Sequence, residues 1–195
     1  MAPFTETVFL DRKHVESSIV ADTLNSPLRS LATVTASLQN ASPLLSVQAS
    51  IELRKPVVPT DVLKLLLDPL YRLQWDSTVS EMDTIAILGE NEVVQRTVQT
   101  LLLKRERIEL VTVKQSANCL RVVARSVPSA TASAETKLVW LEVISRGTST
   151  YIEMTSQVNW NLPAELDIQQ QFIAHKRWLK TFAACLQDAA TGAFD

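Results

Sequence analysis

From about residue 80 to residue 160 the chain reads as strand after strand, joined by connections of only a few residues. Strands are expected near 80–88, 92–102, 105–115, 118–127, 136–146 and 149–160. Turn signals separate them at Gly89-Glu90-Asn91, Ala117-Asn118, Pro128 to Ser133 and Arg146-Gly147. Parallel neighbours need crossovers of a dozen or more residues, so connections this short impose antiparallel hairpins. The chain then closes on a long helical pattern, about Pro163 to Ala190. Its apolar stripe is Ile168, Phe172, His175, Leu179, Phe182 and Leu186. Asn161 is the expected cap, and Glu165 and Asp167 precede Lys176, Arg177 and Lys180 in the order that suits the helix dipole.

Upstream, Val8, Val15 and Ile19 fall at near-helical spacing, which predicts a partly helical segment over residues 1–30. The period then changes. Ala32, Val34, Ala36 and Leu38 alternate with polar residues, and so do Leu45, Val47, Ala49, Ile51 and Leu53. Both runs are half-buried strands. Short helices follow near 60–75, the first capped by Thr60, the second by Asp68 with Pro69 at its first position. The whole is an α+β plan: one domain over 1–195, with a sheet over 31–160 that must curl for the single helix at 163–190 to cover it. A curled sheet over one helix leaves a space between them, and small ligands favour such spaces. That space should be mostly apolar and several hundred Å³, the ordinary range of ligand sites. Phe172, His175 and Leu179 should line it from the helix, and Met154 from the last strand.

Composition removes most chemistries. The sequence of 195 residues has only three glycines, so no Gly-rich phosphate loop can be built. Two histidines and two cysteines leave no zinc site and no other metal site. No cofactor is implied. A formal net charge of −2 argues against a nucleic-acid partner. The opening MAPFTETVFLDRKH reads as neither secretory signal nor transit peptide, and Cys119 and Cys185 read as buried free thiols. A cytoplasmic monomer is the expectation.

Four groups of residues stand out. Trp75 and Asp76 end the second short helix, where the architectural role is an aromatic anchor and a cap. Arg96 and Glu109 lie on adjacent strands. With a turn at Leu103-Lys104, Val98 opposes Glu109 and Arg96 opposes Val111, so the two charges are diagonal neighbours on a face otherwise made of valines. An Arg and a Glu on a buried face must pair, but a slip of one residue would turn the face outward. His175 on the helix stripe is a core residue or a single hydrogen-bonding group for a ligand. Leu101-Leu102-Leu103, beside Lys104 and Arg105, puts three leucines at a hairpin tip, where polar turn formers are usual. The tip is either core or a gate that touches a membrane surface.

The element order, together with particular residues, resembles the START (StAR-related lipid transfer) domain of the helix-grip superfamily. Leu65-Leu66-Leu67-Asp68 with Arg72-Leu73-Gln74-Trp75-Asp76 matches the family's "L-x-D … R-x-x-W-D" segment. Lys104 to Leu110 matches the family's "[S/P]-R-D-F-V" strand start at Arg105, the acid and Ile108. Arg125-Ser126-Val127-Pro128 is similar to "R-S-V". Asn159-Trp160-Asn161-Leu162-Pro163 stands where the family has "D-x-K-G-W-[LI]-P". The likeness spans roughly 44–190. The "V-R-A" strand start has no Arg counterpart within 128–136, and the "K-G-W" glycine is missing.

The resemblance implies one sterol, phospholipid or similar lipid held in an interior tunnel, for transfer between membranes or sensing, without catalysis and with transient membrane contact. Arg96, Glu109, Met154, Phe172, His175 and Leu179 are then the ligand-binding candidates and Leu101, Leu102 and Leu103 the gate. The alternative is a helix-grip enzyme, similar to a polyketide cyclase, acting on an apolar substrate. It would need a positioned acid and base from among Arg96, Glu109, Glu142, Glu153 and His175.

Overall fold

The computed structural model describes residues 9–11, 14–16, 31–38, 45–53, 55–163 and 168–190. Strands β1 (Phe9–Asp11) and β2 (His14–Glu16) form a small antiparallel pair, with Leu10 opposite Val15. Val15, placed in a helical pattern by its apolar spacing, lies in β2. The rest of residues 1–30 lies outside the described residues.

Strands β3 (Leu31–Leu38) and β4 (Leu45–Leu53) follow, then helices α1 (Pro59–Leu67) and α2 (Pro69–Trp75). Six strands come next: β5 (Val79–Gly89), β6 (Glu92–Thr100), β7 (Lys104–Gln115), β8 (Cys119–Ser126), β9 (Glu135–Arg146) and β10 (Ser149–Asn159). Helix α3 (Ile168–Ala190) closes the chain. The eight strands β3 to β10 make one curled sheet in the order β3-β4-β10-β9-β8-β7-β6-β5. Consecutive hairpins run from β5 to β10, and β10 then pairs antiparallel with β4, Ile152 opposite Ile51. The β3–β4 pair is thus stitched to the end of the meander.

Asp68 caps α2 through a hydrogen bond from Leu70 N (2.9 Å), with Pro69 in its first turn. Thr60 does not cap α1: the helix begins one residue earlier, at Pro59, whose fixed φ suits a first turn. Asn161 does not cap α3 either. It adopts φ +47°, a left-handed conformation Asn tolerates, and its side-chain amide donates to Ser133 O (3.0 Å). Glu165 and Asp167 lie outside the described residues.

The core sits between the sheet and the helices. Val47, Ile51, Leu65, Leu120, Val143, Ile152, Phe182 and Leu186 are all buried in one cluster. Trp75 is its keystone: its ring centroid lies 5.4 Å from that of Phe182 and 5.9 Å from that of Trp178, both on α3. Its Nε1 donates to Leu65 O on α1 (2.8 Å). Asp76, fully buried, is paired with Arg72 (2.7 Å) and accepts from Trp178 Nε1 (2.6 Å). The Trp75–Asp76 segment is therefore an architectural clasp that ties α1, α2 and α3 together.

Candidate functional site

Between the concave face of the sheet and α3 lies a cavity of about 130 Å³. It is smaller than the several hundred Å³ expected, because Trp160, Trp178 and two arginines reach into the space. Leu66, Met82, Val111, Val122, Leu141 and Met154 form its apolar walls. One side is polar, and its construction is unusual. Strand β6 turns Gln95, Thr97 and Gln99 inward, all buried, and sends Val94 and Val98 to the opposite face. Strand β7 turns in Arg107, Glu109 and Val111 and sends out Ile108 and Leu110. Polar side chains thus face the cavity from both strands, beside Val111, while Val98 on the other face of β6 is itself buried and Val94, Ile108 and Leu110 are half-buried.

The inward polar groups are tied to one another. Arg107 Nη1 is 3.1 Å from Glu109 Oε1, which also accepts from Thr136 Oγ1 (2.5 Å). Arg107 Nη2 donates to Gln99 Oε1 (3.0 Å), and Gln95 Nε2 donates to Leu67 O (2.7 Å). Trp160 lies over the Arg107 guanidinium at 5.1 Å and meets the His175 ring edge-on at 6.2 Å. Arg105 holds that segment by donating from Nε to Trp160 O (2.9 Å) and from Nη2 to Asn161 O (3.0 Å). On the other flank Arg72 sits over the Trp75 and Trp178 rings, at 4.8 and 5.3 Å, while paired with Asp76. His175 is buried. Its Nδ1 donates to Gln171 O (2.8 Å), which leaves Nε2 as the acceptor of the neutral ring. Burial first, and then the nearby Arg107 charge, hold its pKa below the ordinary 6.5, against the backbone hydrogen bond.

Met154, His175, Glu109 and Leu101 line the cavity. Leu101, Leu102 and Leu103 also line a small recess between the hairpin tip and α3, with Trp160, Leu162 and Ala174. Arg96 does not belong to the site. The β6–β7 turn is the three residues Leu101–Leu103, so Arg96 opposes Ile108 and Glu109 opposes Gln95. This displaces the expected register by an odd number of residues and puts Arg96 on the outer face. There it is ion-paired with Glu81, Asp83 and Glu106, each at 3.0 Å. Leu179 is packed in the core, 3% exposed, and Trp178 takes the lining position instead. The side chain of Phe172 lies outside the described ones. Glu142 sits on the outer face, held by Arg121 at 2.6 Å, opposite the exposed Glu153.

The partner that sequence reasoning missed for Glu109 is Arg107. A signal was available: residues two apart on a strand share a face whatever the hairpin register. Arg72, Trp160, Gln95 and Gln99 were missed as well, because a polar residue at an inward position reads as a surface one. Among the described residues no cluster of His, Cys, Asp and Glu is placed to hold a metal ion.

By sequence, the chain matches no family model and no curated protein. Its structure is similar to that of human StAR-related lipid transfer protein 5, with TM-score 0.68 and 15% identity over 89% of this chain and 90% of that one. It is also similar to human STARD10, with TM-score 0.65 and 21% identity over 80% of this chain and 69% of that one. A STAR-related lipid transfer protein from Xanthomonas axonopodis gives TM-score 0.62 and 15% identity over 80% and 93%. The chain has a START-like fold. Within it, the Arg72–Asp76 segment that carried the resemblance is the clasp described above, and Trp160, from the segment before the last helix, covers the buried Arg107.

In this START-like fold, Glu109→Ala leaves the Arg107 guanidinium buried without its counter-charge, and should cost about 3–5 kcal/mol in urea denaturation. Arg96→Met, at partly exposed outer-face pairs, should cost no more than about 1 kcal/mol. The reverse ranking would return Arg96 to the inner face. His175 gives a pH signature. A folded-state pKa below 6.5 means the folded protein binds fewer protons than the unfolded chain as pH falls through that value. Its contribution is complete above about 6.5 and is lost toward acid, by up to about 1.4 kcal/mol per pH unit. Urea midpoints between pH 7 and 5 should fall less steeply for His175→Phe than for the native protein, and equal slopes would place the imidazole in contact with water.

Proposed function

We propose that this chain binds a single lipid or other apolar small molecule between its curled sheet and α3, and carries or senses it without catalysis. One observation supports this more than any other: β6 and β7 turn amides, an arginine and a glutamate into the cavity while sending valine, isoleucine and leucine outward. A solid core gains nothing from that reversal, since each buried polar group must be matched at a cost in desolvation. A cavity that grips the polar end of an apolar ligand does gain from it. The named neighbours, StAR-related lipid transfer proteins, point the same way.

Non-catalytic binding fits the way the titratable groups are occupied. Glu109 Oε1 already accepts from Arg107 and Thr136, and His175 Nδ1 is spent on its own helix. Glu142 and Glu153 belong to the other face. No helix among the described residues is long and apolar enough to cross a membrane. We place the protein in the cytoplasm, as a monomer that touches membranes transiently, in keeping with its free Cys119 and Cys185.

A cavity near 130 Å³ holds a polar end but not a whole lipid, whose sites run to several hundred Å³. Loading therefore requires an opening, and the recess between Leu101–Leu103 and α3 is where it would start. Outside that recess, a surface groove of about 510 Å³ runs between the tip and α3, bordered by Leu102, Ile173 and Arg177. Exposed leucines at an opened tip would gain burial in a lipid interface.

Native mass spectrometry after mild purification should find a retained mass of lipid size, and a uniformly empty, compact protein would overturn the reading. Replacing Leu102 and Leu103 with Ser should slow lipid transfer between vesicles while equilibrium binding stays nearly intact. Unchanged transfer would move the gate elsewhere.

A further inference from the structure

Seven large apolar side chains are exposed among the described residues, and five of them lie on α2 and β5. Ile85, Ile87 and Leu88 of β5 are 54%, 75% and 60% exposed, and Leu70 and Leu73 of α2 are exposed as well. Single exposed apolar residues are ordinary, but a group of them marks a contact surface. These five form such a group. Helix α2 packs against β5. Gln95, opposite Thr84 in the ladder, donates to Leu67 O, so the start of α2 lies over the row from which Ile85 and Ile87 continue. The patch is at the Glu92 end of β6, and the Leu101–Leu103 tip is at the other end.

Strand β5 ends the sheet, and no described strand pairs with its outer edge. Exposed edges are commonly guarded by Lys or Pro, and β5 has neither. Its guard is irregularity: the ladder with β6 skips Ser80, Ile85 and Leu88. Such bulges hinder a further strand from pairing and re-aim the extra side chains. Contact at this edge is therefore made by side chains and not by a backbone ladder. The occupant that suits it is a helix laying an apolar stripe across α2 and the end of β5.

Charge narrows the partner further. Residues 79–92 hold four acids, Glu81, Asp83, Glu90 and Glu92, and no Lys or Arg. Arg96 and Lys104 answer the first two. Glu90 and Glu92 are exposed and have no ion pair among the described residues. Lys114, diagonal to Glu92 across the β6–β7 ladder, forms none with it. This rim would repel an anionic membrane, and a second copy would set the same acids against themselves. A segment with Lys or Arg beside its apolar stripe is complementary. We propose that α2 and the distal half of β5 dock an amphipathic helix of another protein, its apolar stripe flanked by Lys or Arg.

Two synthetic amphipathic helices with the same leucine stripe serve as probes, one flanked by lysine and the other by glutamate. Titrated into the isotope-labelled full chain, the lysine helix should bind at least about tenfold more tightly than the glutamate helix. It should shift the resonances of α2 and β5 and leave those of α3 in place. Ile85→Ser with Leu88→Ser should weaken the lysine helix by at least about tenfold, with the melting temperature unchanged because both side chains are exposed. Glu90→Lys with Glu92→Lys should weaken it by about threefold to tenfold, and more at low salt than at high salt. Equal binding of the two probes would overturn the charge assigned to the partner. Shifts confined to α3 and the leucine tip, or an affinity indifferent to Ile85 and Leu88, would overturn the surface. Self-association in analytical ultracentrifugation that Ile85→Ser with Leu88→Ser abolishes would give the patch to a second copy and overturn the proposal. Failure of the lysine helix to bind would overturn it too.

Discussion

The structure hangs on a buried carboxylate. Asp76 has almost no exposed surface, yet it ends one helix, neutralises Arg72 and accepts the indole N–H of Trp178 from the opposite side of the cover. Burying that charge is tolerable only because several donors converge on it. The result is a fixed distance between α2 and α3 at one end of the sheet. Trp75 and Phe182 fill the gap beneath. One turn earlier on α3, Trp160 and the leucine tip approach His175 and Ala174 through apolar and edge-on ring contacts. Neighbouring turns of α3 are thus held by different chemistry. Charge-assisted hydrogen bonds fix the clasp, and weaker packing surrounds the recess. If any part of the cover lifts, the difference favours the turn beside the recess.

The polar wall needs the same kind of explanation as the clasp, with a different outcome. In the clasp the Asp76 carboxylate finds protein partners that also build the fold. In the wall, Arg107 and Glu109 neutralise each other, and Gln99 and Thr136 brace them, but N–H groups are left over. A fold optimised for stability alone would place β6 valines inward and its glutamines outward. Local rules are broken in one place, beside a cavity, and that is where the proposed binding function looks for its site.

Much of this was legible in the sequence. Short turns fixed an antiparallel meander, alternation located β4, and the stripe ending in Leu179, Phe182 and Leu186 found the buried face of α3. Glu109 and His175 were recognisable as wrong for their surroundings. What could not be read was which strand faces lie inward. Val94, Val98 and Arg96 alternate with Gln95, Thr97 and Gln99, and hydrophobicity alone selects the valine side. That choice is correct for a core and incorrect here, where the inward face of β6 borders a cavity. At the N-terminus only Val15 of the three apolar residues that suggested a helix lies among the described residues, and it is in a strand: three apolar residues spread over a dozen positions do not make a stripe.

One turn decides the chemistry of the site. Pairing with β8 fixes the face that β7 presents, so Arg107 and Glu109 point inward whatever β6 does. The parity of β6 relative to β7 then depends on the number of residues between Thr100 and Lys104. With three, Gln95 faces Glu109, Thr97 faces Arg107 and Gln99 stands ready to accept from the guanidinium. With a two-residue turn at Leu101-Leu102, Arg96 would fall directly opposite Arg107, two cations on one buried face with a single glutamate between them. Outside, Arg96 finds three carboxylates instead. The leucines at the tip therefore do two things at once: they line the recess against α3, and by their number they keep Arg96 out of the cavity.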